Sequence, residues 1–484
     1  MTTPSLNVVI QSDNEALQQK LLRAAFELFV RVGIPFSLHR SWQSVDSDAT
    51  VIYHGPPELT RKRAIQNRCV VTLPVSTCGL EDCQLLWGAD GSALWGGGVE
   101  AGVDLLAGAA ALLTFSHEER VSIEERDQLG RIPAKSHPFG RLEVLEEPLL
   151  ENAAIQMRQV CAKHGINVQN VLKPWPNKVP VIITHDVDGP YLHSFFALAR
   201  SAWYALFRKD KKERDALEFG LISLMSKGDD PYFGFSDWRR FERQVGAVST
   251  FFVYPKGAAG VDVSPRDPRY KITNAKLREE FGRALNEGWS VGLHSGIRAQ
   301  NSQDYLSSAQ HLGRVLGTEV KFVREHYWSI HWKDPYKTWQ EMSRAGLVAD
   351  TSLNPLAVGL RNGTCLPITA STAWSQFADC SFLAIPTAVM DQYEVEAEPR
   401  CEKWAISSSL RRLLDHIARV NGCVVLDWHE RTMSNTGPWK GYFSRMLNLT
   451  RYLSACGQYE FMSLSEVYRL WTSFVHAVFL GVRP

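Results

Sequence analysis

Four short clusters in the second half of the chain carry side chains suited to hydrolytic chemistry. In THDVDGP, Asp186 and Asp188 stand two apart at the end of an apolar run. Residues two apart on a strand point the same way, so both carboxylates can face one site, one binding a metal while the other accepts a proton. The plainer alternative is a strand-ending turn capped by two acids. WSVGLHSGIR delivers His294 at the end of a second run, where a neutral imidazole suits zinc and other first-row divalent metals or serves as an ordinary polar cap. VREHYWSIHW packs Arg324, His326, Tyr327 and His331 together after EVKFV, a density of cations and aromatics unusual for a plain loop. VVLDWHERT ends a further run in Asp427, Trp428 and His429, which suits a general acid with a carboxylate and an aromatic wall beside it.

These groups work together only if the fold gathers the strand ends that carry them. From residue 176 to 484 the segments VPVIITHD, AVSTFFVY, WSVGLH, EVKFV, SFLAIPT, GCVVLDWH and YEFMSL read as buried strands, each followed by a helix. That alternation predicts a parallel, barrel-like α/β domain, whose strand ends converge on one open mouth. Residues 1–175 read as a smaller α/β domain with a helical connector. LNVVIQ, ATVIYHG, CVVTLP and QLLWG are its short strands, VDLLAGAAALL is a helix, and the helix LLENAAIQMRQVCAKHG leads to a Pro-rich junction at LKPWPNKVP. No fixed-period repeat or low-complexity tract interrupts either part.

The 484 residues exceed what one compact core usually accommodates, which agrees with two domains. Hydrophobic content of 45% beside 22% charge is ordinary for a globular enzyme. With 53 Lys and Arg against 52 acidic residues, nothing in the overall charge favours nucleic acid as a partner. The nine cysteines form no C-x-x-C pair, which fits a reducing compartment. The start MTTPSLNVVIQSDNEALQQK lacks the features of a secretory signal, so the expected location is the cytoplasm. The apolar runs at 194–207 and 470–482 are too short or interrupted to span a bilayer. FFALARSAWYALFRKDKKERD, with an aromatic face and a basic end, reads either as a helix covering the barrel or as an interfacial helix in peripheral contact with the inner membrane.

Taken in order, the four clusters resemble the motifs of the polysaccharide deacetylases, the NodB-homology superfamily of carbohydrate esterases, over roughly residues 180–465. The resemblance implies a distorted (β/α) barrel and a divalent metal, with zinc the expected one. THDVDGP resembles the first motif, implying Asp186 as catalytic base and Asp188 as metal ligand. GLHS resembles the second and implies His294 as a ligand. REHY resembles the third, with His326 where proline is usual; Arg324 would orient and charge-balance Asp186, and the Tyr327 backbone N–H would face the oxyanion. LDWH resembles the last motif, with His429 as general acid, held by Asp427 or another acceptor, and Trp428 or Tyr327 against the sugar. STFFV resembles the family's second strand. The second motif usually supplies another His four residues on, but that position is Arg298, which stays protonated and cannot serve as a normal ligand. His326 is the preferred replacement, with His331 or a water as alternatives.

The flanking sequence, including DPYFGFSDWRRFERQVGAVSTFFVYPKG, resembles a subgroup in which such a barrel follows an α/β domain of unassigned function and which works in bacterial exopolysaccharide, capsule or O-antigen assembly. The function so implied is metal-dependent N-deacetylation of an N-acetylated sugar, an oligosaccharide or a lipid-linked glycan. The rival expectations are a metal-independent amide hydrolase of the allantoinase type, a sugar deformylase, and a carbohydrate-binding pseudoenzyme.

Overall fold

The computed structural model describes residues 6–45, 50–56, 69–75, 80, 103–175, 178–207, 211–225, 230–370, 381–399 and 405–483. They form two sheets. The first contains β1 (Leu6–Ile10), β2 (Phe36–His39), β3 (Thr50–His54), β4 (Cys69–Thr72) and a strand from the far end of the chain, Phe479–Arg483, in the order last strand, β2, β1, β3, β4. All its pairings are parallel. Helix Glu15–Val32 packs on this sheet, opened by the Asn14 side chain and closed by Gly33 in the left-handed conformation. The expected strands LNVVIQ, ATVIYHG and CVVTLP are present, whereas QLLWG lies outside the described residues.

The second sheet curls into a half-barrel. Its strands are β5 (Val179–Val187), β6 (Thr250–Val253), β7 (Ser290–Ser295), β8 (Phe322–Glu325), β9 (Ala349–Asp350), β10 (Ile368–Thr369), β11 (Leu383–Ala384), β12 (Thr387–Met390), β13 (Val424–Asp427) and β14 (Tyr459–Phe461). The order is β10-β11-β9-β8-β7-β6-β5-β13-β12, with β14 also paired to β5. Only β10–β11 is antiparallel. All nine residues of β5 are buried, as expected of a strand in the middle of a parallel sheet covered on both faces. SFLAIPT divides at Pro386, which has no N–H for a ladder, into β11 beside β9 and β12 beside β13. The last segment of the chain leaves helix Leu464–Val478 and crosses to the first sheet as the strand Phe479–Arg483, β15. The apolar run at 470–482 is therefore part helix and part strand.

Buried ion pairs tie the two parts together. Arg31 meets Glu27 and Glu151 and also donates to Thr364 Oγ1 and the Leu366 and Pro367 carbonyls. Arg361 holds Glu118 through two bonds of 2.8 and 2.7 Å while its guanidinium lies 3.5 Å over the Trp332 ring. No helix among the described residues is long and apolar enough to cross a membrane.

Candidate metal centre and its cleft

Parallel register sets the site. β5, β7, β8 and β13 all end at the same edge of the sheet, with His294 opposite Arg324 and Asp427 opposite Thr184. Asp186 and Asp188 are therefore brought beside His294, Arg324, His326, Asp427 and His429 from strands far apart in sequence.

Asp188 is the hub. Its Oδ1 lies 3.2 Å from His294 Nε2 and 3.5 Å from His326 Nε2. Its Oδ2 lies 3.4 Å from His429 Nε2 and accepts from Arg431 at 3.2 Å. Burial alone would raise this carboxyl, but His326 and Arg431, with hydrogen bonds from His294 and His429, hold it well below the usual carboxylate range. The far nitrogen of each ligand-like imidazole is occupied. His294 Nδ1 donates to the Arg324 carbonyl at 3.1 Å, and His326 Nδ1 meets Asp267 at 3.3 Å. A carbonyl can only accept, so His294 carries a proton on Nδ1, which leaves Nε2 as the nitrogen that faces Asp188. One donor atom each from Asp188, His294 and His326 lies within 4.8 Å of the others, a set suited to a divalent metal.

Beside this trio, Arg324 is fully buried and donates to Asp186 at 2.9 Å, Thr351 Oγ1 at 3.0 Å and Thr387 Oγ1 at 3.2 Å, while Asp427 forms an ion pair with it at 3.1 Å. Burial would raise the Asp186 carboxyl, yet Arg324, then His294 and His429, bring it below its ordinary value. Asp427 is pushed the other way, first by burial and then by the Asp186 charge. One guanidinium thus serves two carboxylates, one kept ionised and one biased toward its protonated form.

Asp427 is not the partner of the His429 ring. Asp391, at the start of helix Asp391–Ala397 after β12, accepts from the His429 backbone N–H at 2.8 Å and sits 3.1 and 3.2 Å from Nδ1. Burial would lower the imidazole, but Asp391, together with Asp427 and the hydrogen bond to Asp188, raises His429 well above its ordinary pKa.

The cleft above these groups has a volume of about 410 Å³ and is lined by Asp188, His326, Arg431, Tyr191, Tyr232, Tyr270, Tyr327 and Trp439 among others. Tyr327 is 41% exposed there, and its carbonyl accepts from Arg131 of the N-terminal part at 2.8 Å. Tyr327 and Trp328 both have φ of 57°, two successive non-glycine residues in the left-handed region. Such strain persists where surrounding contacts fix the turn. Trp428 is fully buried and donates from Nε1 to the Tyr442 carbonyl at 3.3 Å, so it offers no face to a sugar; the expectation of a sugar contact there is corrected. Arg298 is exposed and paired with Asp262 at 2.9 Å. The His331 ring accepts from the Asp334 backbone N–H and is not part of the trio.

Three site residues escaped the sequence reading. Asp391 had a usable signal, an apolar strand ending in an acid, as at Asp186 and Asp427. Arg431 lay in the quoted VVLDWHERT without being singled out. Asp267 sits in an irregular loop, and neither period nor motif marks it.

No family model matches the sequence, and no curated protein matches it. Solved structures to which the chain is similar include one described as a polysaccharide deacetylase from Mycobacterium smegmatis, 13% identical, covering 63% of this chain and 93% of that chain with a TM-score of 0.39. Another so described, from Pseudomonas aeruginosa PAO1, is 12% identical, covers 63% and 96%, and has a TM-score of 0.38. A CE4 family pseudoenzyme from Bacillus anthracis is 11% identical, covers 63% and 72%, and has a TM-score of 0.26.

Proposed function

We propose that this chain is a metal-dependent N-deacetylase that hydrolyses the acetamide C–N bond of an N-acetylated sugar, oligosaccharide or lipid-linked glycan in bacterial surface-polysaccharide biosynthesis. The observation that carries this reading is the convergence on Asp188 of the Nε2 atoms of two imidazoles, His294 and His326, on one side and the His429–Asp391 pair on the other, with the Asp186–Arg324 pair alongside. With bonds of ~2.1 Å, ligand atoms around a tetrahedral ion stand ~3.4 Å apart. The separations of 3.2 and 3.5 Å from Asp188 Oδ1 to His294 and His326 match that spacing. The residues present therefore fit a divalent metal, with His326 in place of the histidine absent at Arg298.

Asp188, His294 and His326 would hold that metal, expected to be zinc, whose contribution when bound is to acidify water and polarise a carbonyl. The chain's own groups supply the proton transfers. Asp186, kept ionised by Arg324, takes the proton from the attacking water. His429, protonated against Asp391, gives a proton to the departing nitrogen, which a neutral amine requires. Asp427 acts through Arg324, sharing its guanidinium and fixing its place. The Tyr327 N–H, at the strained turn, is the donor for the oxyanion, and the Tyr327 ring with Trp439 walls the sugar.

The test is elemental analysis of purified wild type beside His294→Ala and His326→Ala, followed by acetate release from N-acetylated oligosaccharides. Near-stoichiometric metal that is lost in both variants, with activity, is the expected result. A wild type that stays metal-free after reconstitution overturns it. Release of formate from a formamido sugar in preference to acetate would keep the mechanism and change the acyl group.

A further inference from the structure

Helices Phe195–Phe207 and Lys211–Met225 pack together as a hairpin at the edge of the cleft. Ser201 Oγ donates to Glu213 at 2.6 Å, and Gly220 lets the helices close against Leu198 and Leu192. Its inner side belongs to the cleft, whose wall includes Ser194, Glu213 and Ala216. Phe219 rests on Gly437, next to the cleft residues Pro438 and Trp439.

The hairpin's helices also carry exposed apolar side chains. Trp203, Leu206 and Phe207 are 47%, 73% and 73% exposed, and Leu221, Ile222, Leu224 and Met225 are 51%, 59%, 43% and 83% exposed. Among the described residues these are seven of the fourteen exposed large hydrophobics, three at the end of the first helix and four at the end of the second. Positions 203, 206 and 207 share one face of the first helix, and 221, 222 and 225 share one face of the second, with the exposed Glu218 one turn before them. Between the apolar stretches the sequence from 208 to 214 reads RKDKKER, five cations against two acids. Across the cleft mouth, Arg266 and Arg269 bond, among the described residues, to the neutral Gln128 Oε1 and Pro265 carbonyl.

We propose that this hairpin lies in the interface of an anionic bilayer, with its exposed apolar side chains among the acyl-chain ends. Three features select a bilayer over a protein partner. The exposed apolar residues lie on helices and not in a groove, they include a tryptophan suited to the headgroup level, and the sequence joining the two helices is rich in cations that match anionic lipid. Docked in this way, the cleft opens at the membrane surface. This consequence rests on the deacetylase reading of the cleft, and it makes the substrate a membrane-held glycan; the docking itself does not depend on that reading.

The experiment is co-sedimentation of the full chain with vesicles of phosphatidylcholine alone and of phosphatidylcholine with about one third phosphatidylglycerol. Binding to the anionic vesicles, weakened by raising the salt, is expected. Leu206→Glu with Phe207→Glu, and separately Ile222→Glu with Met225→Glu, should each lower the bound fraction roughly tenfold or more, while circular dichroism and acetate release from a soluble oligosaccharide stay as in wild type. Absence of binding to either vesicle, or binding indifferent to both double variants, overturns the proposal. So does a wild-type dimer that the same substitutions turn into monomer without vesicle binding, since the occupant would then be a second copy. Vesicle binding by a chain inactive on every acylated sugar would sustain the docking and defeat the deacetylase reading. Activity without vesicle binding would do the reverse.

Discussion

Replacing Asp391 tests the assignment of the acid more sharply than replacing His429 itself. Asp391 is 1% exposed, accepts the His429 backbone N–H at 2.8 Å, and faces Nδ1 at 3.1 and 3.2 Å. Asp391→Asn keeps an oxygen in place and removes the charge. A hydrogen bond to a charged group is worth about 1.5–3 kcal/mol, and tenfold in rate corresponds to about 1.4 kcal/mol, so kcat on an N-acetyl oligosaccharide should fall by roughly one to two decades. Because Asp391 is not among the residues lining the cleft, KM should change little. The assay includes a second substrate, 4-nitrophenyl acetate, whose leaving group departs without a proton. If His429 protonates the leaving nitrogen and Asp391 acts through it, Asp391→Asn and His429→Ala lose amide hydrolysis while ester hydrolysis changes far less. An Asp391→Asn enzyme with unaltered kcat on the amide, or one that loses ester and amide alike, refutes the assignment.

Arg298→Ala should leave metal content unchanged, because that side chain is exposed on Asp262 and away from the trio; elemental analysis checks it. Arg324→Met strands two buried carboxylates, and urea denaturation should register a loss of about 3–5 kcal/mol, the cost typical of breaking a buried pair from one side. The buried junction should make the fold acid-sensitive. His117 is pushed down to about 4, first by burial, while the unfolded chain titrates near 6.5, so the unfolded state takes up a proton that the native state refuses as pH falls through this window. Stability should fall by about 2 kcal/mol between pH 6.5 and 5. Glu118 is lowered: burial would raise it, but Arg361 and His137 overcome this, so its contribution is present above the unfolded carboxylate value and lost at lower pH. Urea midpoints across that range should move as stated in wild type, and His117→Phe should flatten the upper part.

Much of the second sheet was legible because parallel strands buried on both faces are written as continuous apolar runs, and their ends carry the acids and imidazoles. β5, β7 and β13 follow that rule, and Asp186, His294 and His429 come with them. The two-residue strands β9 and β10 carry too little pattern to be seen. The strand Phe479–Arg483 was hidden for a different reason, since its apolar residues continue the run of the preceding helix and nothing local says that it pairs with β2. Trp428 misled because a motif fixes a residue's position along the strand and leaves the face open; its side chain turns into the core, whereas Tyr327 turns to the cleft.

The surroundings of His326 bear on its proposed place as a metal ligand. A metal-binding imidazole needs its other nitrogen held by an acceptor. Asp267 supplies that acceptor, and the same carboxylate receives the backbone N–H groups of Ile297 at 3.0 Å and Ser264 at 2.8 Å. It therefore crosses the loop after β7, where the second histidine of the resembled motif would stand, and binds that loop's backbone instead. A Cβ at Gly296 would lie 3.0 Å from Asp267 Oδ2 and 3.2 Å from the Tyr254 ring, so the close approach depends on glycine there. With that space taken by Asp267, an imidazole reaches Asp188 from the neighbouring strand end, β8, where His326 stands. Restoring the motif with Arg298→His should accordingly fail to rescue metal binding in His326→Ala, because the carboxylate that must hold the ring still serves position 326; recovery of stoichiometric metal in that double variant would show that the loop after β7 is free to supply the ligand after all.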